Sequence, residues 1–384
     1  MKILQVVAYI SPDGAYGGPV RVAINQAKAL TKLGHEVVLA AAAGGFEGPL
    51  PEEFDGFPVR LFAARRVLPR AGFAGISSPG LIAWLAQVVR DADVVHVHLA
   101  RDLLMLPAAA LTLLAKKPLV VQTHGMIDST HKVSAKPLDW LLTRPVLRRA
   151  NAVLHLTESE RRDLQDVAGE SLNLMSLSNG IPLPDEKAIE QQKGVQEEVE
   201  VLYLARLHAI KRPMLLAHAA RELADKHPRA KFTLVGPDEG EASKIQEAIR
   251  VEHDTTANLR WSGPLPPAQT IDRMKQACIY ALPSTAESFG MSIAEAMSVG
   301  LPVVITESCG IAPIVREKKA GIVCDQSQNS FTQAIDRLLG DAELRITMGA
   351  NAREAVQDMR STQDVAIELV AIYTKTGATD GSPK

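Results

Sequence analysis

The residues best placed to do chemistry stand in one stretch, Pro283–Val304, PSTAESFGMSIAEAMSVGLPVV, where Glu287 and Glu295 lie eight positions apart. Paired carboxylates invite an acid/base reading, but their neighbours point elsewhere. Ser284–Glu287 and Ser292–Glu295 both spell S-x-x-E, a pattern that caps helix starts, and both cannot open the same helix. Helical apolar spacing sets in at Ile293, Ala296 and Met297 and stops at Gly300 and Pro302. Glu287 is therefore expected in the loop after a strand, and Glu295 about a turn into a helix, opposite its Ile293/Met297 side. Between them, Phe289, Gly290 and Met291 offer backbone N–H groups at a helix start, where an anion settles. A carboxylate accepts from two adjacent hydroxyls at once, so sugar or ribose hydroxyls explain both acids better than capping does.

Other candidates also sit where strands end. YLARLHAIKRP (Tyr203–Pro213) carries Arg206 and Lys211, a rigid fork and a point charge that could clamp a diphosphate; the plainer reading is a solvated basic turn. Near the N-terminus, Gly17 and Gly18 precede Pro19, expected at the first position of a helix whose N-terminus would face a phosphate. His124 follows a strand and precedes Gly125, so it should face a crevice and touch substrate, with Asp128 in the same loop. His96 and His98 share one strand face and could ligate a metal, and Asp91 and Asp93 spell DxD. The aspartates precede a buried strand, however, and no further ligands complete a shell, so no metal is expected. His96 reads as a structural histidine, and His98 as an acceptor or loop contact.

These positions need strands and helices in alternation, and the chain supplies them. Apolar runs at Ile3–Val7, Val37–Ala41, Val59–Leu61, Val94–His98, Leu119–Thr123, Ala152–Leu156 and Leu174–Leu177 alternate with amphipathic stretches such as Val20–Leu33 and Leu81–Arg90. After a Pro- and Gln-rich stretch, Ser178–Glu198, the rhythm restarts at Val199–Leu204, Lys231–Val235, Leu259–Ser262, Ile279–Leu282, Pro302–Ile305 and Gly321–Val323. Such runs predict two Rossmann-like, doubly wound α/β domains facing a central cleft. Their expected extents are 1–180 and 199–361, with a linker at 181–198. A C-terminal helix in 362–384 crosses back to the first domain and ends in a disordered tail. Ligands of such sheets bind beyond the carboxyl ends of the strands.

Composition agrees: 384 residues, 46% hydrophobic and 22% charged, are ordinary for a two-domain soluble enzyme. Three scattered cysteines, Cys278, Cys309 and Cys324, suggest a reducing compartment. The first residues read as a strand rather than a signal peptide, and Leu103–Ala115 is too short to span a bilayer. The expected location is the cytoplasm, at most on a membrane face. The net charge of −2 hides a basic segment, Arg60–Arg149, with thirteen Lys and Arg against five Asp. It is either a solvated face or a surface for anionic lipid. With only 4% aromatic residues and no binding motif, nucleic acid is not an expected partner.

On these motifs the sequence resembles the retaining GT-B-fold glycosyltransferases of glycosyltransferase family 4, over nearly the whole chain. The match comprises the Gly-Gly turn, THG, Asn179–Gly180, RLHAIKRP and ESFGMSIAEAMSVGLPVV, the last highly specific. The resemblance implies that Arg206 and Lys211 hold the donor diphosphate as leaving group. It implies that Glu295 meets the ribose diol, Glu287 the donor sugar, and the Phe289–Met291 backbone the sugar or phosphate. Gly17–Gly18 would meet the distal phosphate and His124 the sugar near the reacting carbon. No metal or other cofactor is implied, and the partners are a nucleotide-sugar donor and a glycan or lipid-linked acceptor. Three rivals remain: a GT-B-like nucleotide-sugar epimerase, a metal-dependent hydrolase using His96 and His98, and a non-catalytic nucleotide-sugar binder.

Overall fold

The computed structural model describes residues 1–13, 17–128, 135–181, 198–252 and 258–377. The chain divides into two compact units: Met1–Pro12, Tyr16–Gly180 and Thr362–Lys384 form one, Asp13–Ala15 and Ile181–Ser361 the other. Most of the expected linker and the final seven residues lie outside the described residues.

The first unit is built on strands β1 (Lys2–Ile10), β2 (Glu36–Ala43), β3 (Glu53–Phe54) and β4 (Phe57–Ala63). A short antiparallel pair follows, β5 (Arg65–Arg66) with β6 (Ile76–Ser77). Then come β7 (Val94–His98), β8 (Leu119–Gln122), β9 (Ala152–His155) and β10 (Leu174–Ser176). The main sheet runs β10-β9-β8-β7-β1-β2-β4-β3, parallel except for β3. Every residue of β7, β8 and β9 is buried, because helices cover both faces of a parallel sheet. The strand order reverses between β1 and β7.

The helix Gly17–Lys32 starts two residues ahead of expectation. Pro19 is thus its third residue rather than its first, a place where its missing N–H is still outside the intrahelical ladder. The last helix, Thr362–Lys375, packs beside it on the first sheet. Its Val365, Ala366, Leu369, Ile372 and Tyr373 are buried in one cluster with Ile3, Leu30, Val94 and Val120.

The second unit carries β11 (Glu200–Leu204), β12 (Lys231–Val235), β13 (Asn258–Trp261), β14 (Ile279–Leu282), β15 (Val303–Thr306) and β16 (Gly321–Cys324). All six are parallel, in the order β13-β12-β11-β14-β15-β16. Its reversal falls between β11 and β14, and one apolar cluster fills both faces. Such a reversal parts the loops on either side and opens a crevice at the carboxyl edge.

Candidate active site

In the second unit, Arg206 and Lys211 follow β11 while Glu287 follows β14, so they flank that reversal. Lys211 forms an ion pair with Glu287, and both side chains are largely buried. Arg206 pairs in the same way with Glu239, from the loop after β12. Neither cation is bare, and each stands against a carboxylate from a neighbouring loop.

Backbone bonds tie these loops together. Leu207 N–H donates to Pro237 O at 2.8 Å, Thr285 N–H to Ile210 O at 2.8 Å, and Gly310 N–H to Glu287 O at 2.8 Å. Two glycines permit the approach: a Cβ on Gly236 would lie 2.0 Å from Ala205 O, and one on Gly310 2.1 Å from Ser288 O. Below them, the Tyr280 hydroxyl, with one hydrogen to give, lies 3.0 Å from Leu204 O and 2.8 Å from Ser292 Oγ. Burial pushes the Tyr280 phenol far up, so it serves as a fixed donor.

Neither serine of the S-x-x-E repeats caps a helix. Ser292 Oγ is engaged by the Tyr280 hydroxyl, and the single hydrogen of Ser284 Oγ is held between Ile210 O and Ala286 O. The helix Met291–Ser298 begins instead at Gly290, whose φ of 98° is left-handed. Ile293 and Ala294 N–H both donate to Gly290 O at 3.0 Å, which leaves the N–H groups of Met291 and Ser292 as the first-turn donors outside the intrahelical ladder. Glu295 lies in this helix and is buried, as are all residues from Ile293 to Ser298.

In the first unit, His124 follows β8 with a left-handed backbone, φ 52°, and Gly125 follows it at φ 71°. A buried carboxyl holds this turn: Glu160 accepts from Thr123 Oγ1 at 2.6 Å and Gly125 N–H at 2.5 Å through one oxygen, and from Leu156 N–H at 2.6 Å through the other. His124 Nε2 lies 2.8 Å from Nδ1 of His98. His98 is fully buried on β7, so it reaches the candidate site through His124 rather than as a surface contact. His96, two residues earlier, stacks on His98 and bonds Tyr373 OH at 2.8 Å. Desolvation holds His96 and His124 at about 3 and His98 well below its usual range, so all three are neutral. Asp128 is exposed and pairs with Arg101 at 2.8 Å, which also grips the buried Asp139 at 2.8 Å. Among the described residues, no group of three or more His, Cys, Asp or Glu is arranged to hold a metal.

Comparison with known sequences assigns both units. Residues 17–180 match the glycosyl transferase 4-like domain, and residues 185–355 match the glycosyl transferases group 1. The chain belongs to the group 1 glycosyl transferases of the family 4 type. Among the relatives of this glycosyltransferase is the D-inositol 3-phosphate glycosyltransferase of Kineococcus radiotolerans, 27% identical, covering 90% of this chain and 87% of that one. The fold of Anabaena Alr3699/HepE, solved with UDP and glucose, superposes with a TM-score of 0.73 at 20% identity, over 96% of this chain and 99% of that one. An S. aureus TarM variant, solved with UDP, fondaparinux and α-GlcNAc-glycerol, gives 0.75 at 14% identity, over 97% and 99%. The glycosyltransferase thus has the GT-B fold.

Sequence reasoning brings Arg206, Lys211, Glu287 and the Phe289–Met291 turn to one sheet edge of this glycosyltransferase. It misses Glu239 and Glu160. Glu160 had a signal: Thr157–Glu160 spells the same T-x-x-E box, and Thr157 Oγ1 does accept the Glu160 N–H at 3.2 Å.

Proposed function

We propose that the enzyme moves a hexose-type sugar from a nucleoside diphosphate donor to a glycan or lipid-linked acceptor, with retained configuration and no catalytic metal. A UDP-sugar is favoured over GDP-mannose. The observation that carries this reading is the pair of carboxylate-held cations, Lys211–Glu287 and Arg206–Glu239, flanking the reversal of the second sheet. A diphosphate entering there competes for both cations. It takes Lys211 and Arg206 as ligands and releases Glu287 to accept from sugar hydroxyls. As the bond from the anomeric carbon to the diphosphate oxygen breaks, the growing charge meets fixed cations and the helix start at Gly290. The acceptor oxygen bonds that carbon on the same face, and its proton passes to the departing phosphate oxygen. The named UDP complexes of the Anabaena and S. aureus proteins support a uracil nucleotide.

A panel of nucleotide sugars tests the reading, with product configuration followed by NMR and chelator present or absent. Turnover of one donor to a product of the same anomeric configuration, undiminished by chelator, is expected. Loss of turnover in chelator, or an inverted product, refutes that part of the mechanism. Lys211→Ala should lower kcat by about 10²-fold or more.

The acceptor side of the proposal rests on the first unit. Ala135–Arg149 runs as helix, with Asp139–Thr143 in π geometry. It leaves Lys136, Arg144, Arg148 and Arg149 exposed together with Trp140 (72%) and Leu141 (63%). Its one acid, Asp139, is buried against Arg101. Basic residues interleaved with an exposed Trp suit the headgroup layer of an anionic membrane. Co-sedimentation with anionic but not zwitterionic vesicles is expected, weakened by salt and by Trp140→Ser. Equal binding to both vesicle types removes this part of the reading.

A further inference from the structure

The column of three imidazoles has a consequence for what His124 can do. A neutral imidazole carries one N–H, so in the contact between His98 Nδ1 and His124 Nε2 one ring donates and the other accepts. Their planes are within 8° of each other and the centroids 5.0 Å apart, as an in-plane bond requires. If His124 donates from Nε2, the hydrogen of His98 must sit on its own Nε2. That atom is buried and has no partner among the described residues. An orphaned buried N–H is the rarer and costlier state in folded proteins. If His98 donates from Nδ1, its Nε2 is a bare lone pair, and His124 then carries its hydrogen on Nδ1.

We infer that His98 is a positioning residue which locks His124 as the Nδ1–H tautomer, so that His124 meets its substrate as a hydrogen-bond donor and not as a base. Two further contacts hold the arrangement. His96 stacks on His98 with centroids 4.7 Å apart, and Tyr373 fixes His96 from the last helix. The left-handed turn held by Glu160 sets the direction of the His124 ring. The ligand class that fits a neutral N–H donor here is a sugar hydroxyl or the ring-side oxygen of a departing phosphate. Only that last step rests on the transferase reading; the tautomer does not.

Long-range ¹H–¹⁵N correlation spectra of ¹⁵N-histidine-labelled full-length protein read the tautomer directly. The expected pattern for His124 is a protonated Nδ1 and an unprotonated Nε2. A protonated Nε2, or an imidazolium at neutral pH, overturns the inference whatever the activity. His98→Phe removes the donor and should let His124 populate both tautomers. With an accepted donor sugar, kcat should drop by about tenfold or more while the donor KM changes by no more than about threefold. His98→Asn can place an amide N–H near the lost Nδ1–H and should restore most of kcat and the original spectrum. An unchanged His124 pattern in His98→Phe also overturns the inference. If no nucleotide sugar is turned over, the transferase reading fails while the spectra still decide the tautomer.

Discussion

Two buried carboxyls of the first unit, Asp102 and Glu160, bear on its stability. Asp102 is buried, and desolvation raises its carboxyl to about 6 although Leu104 and Met105 donate their N–H groups to it. In the unfolded chain the same group ionises near 3.8. The folded protein therefore holds a proton that the unfolded chain has lost between those values, and stability falls as pH rises through that window. The difference in urea midpoint between wild type and Asp102→Asn should shift against wild type from about pH 4 to 6 and then level off. A pH-independent difference would assign Asp102 no titration there. Glu160 is the second case. Glu160→Gln turns an N–H₂ group toward a backbone N–H, of Gly125 or of Leu156, whichever way the amide sits, so at least one bond is lost, at about 1.5–3 kcal/mol. A lower melting temperature and a reduced kcat are expected together, because the same oxygens hold the His124 turn. At this scale the sequence exposes residues whose meaning is local. His124, Arg206, Lys211 and Glu287 can be picked by type and by their place after a strand. Their partners cannot, since Lys211 and Glu287 are 76 positions apart and meet only through the sheet order.

The elements were legible to a greater depth, because unbroken apolar runs have one reading when helices alternate with them. All thirteen runs became strands, including the fully buried VVHVH of β7 and IYAL of β14. The short pair β5–β6 and the edge strand β3 were not anticipated, since two-residue strands carry no periodicity. The first helix starts two residues ahead of Pro19 because proline is tolerated at any of the first-turn positions. Neither S-x-x-E pattern could be resolved from spacing alone; only the tyrosine beneath the loop shows where Ser292 is engaged. The loops at the edge of the second sheet depend on close backbone approach, which gives a test at this scale. Gly310→Ala would place a methyl 2.1 Å from Ser288 O and push the Glu287–Gly290 turn outward. Binding of the donor nucleotide, followed by calorimetry, should weaken by about 10–100-fold while the far-ultraviolet circular dichroism is retained. Unchanged affinity would detach this turn from the donor site.

On the scale of the molecule, the chain leaves the first unit at Gly180 and returns to it at Thr362. The returning helix buries Val365, Leu369, Ile372 and Tyr373 against the first sheet. At about 1.5–3 kcal/mol for each large side chain, this contribution matches the whole stability of a typical domain, about 5–15 kcal/mol. A chain ended after Ser361 should therefore keep a protease-resistant second unit and become readily cleaved within the first. Resistance of both units would show that the helix is dispensable. The basic face of Ala135–Arg149 could be seen in the sequence only as a surplus of charge; its exposed Trp140 is a matter of helix phase. The same return of the chain sets an order of events on the ribosome. Nascent chains commonly complete their domains in the order of synthesis. Here the first unit lacks one of its covering helices until the whole second unit has been made. The half translated earlier must wait, with part of its sheet uncovered, while the half translated later has all its strands in hand.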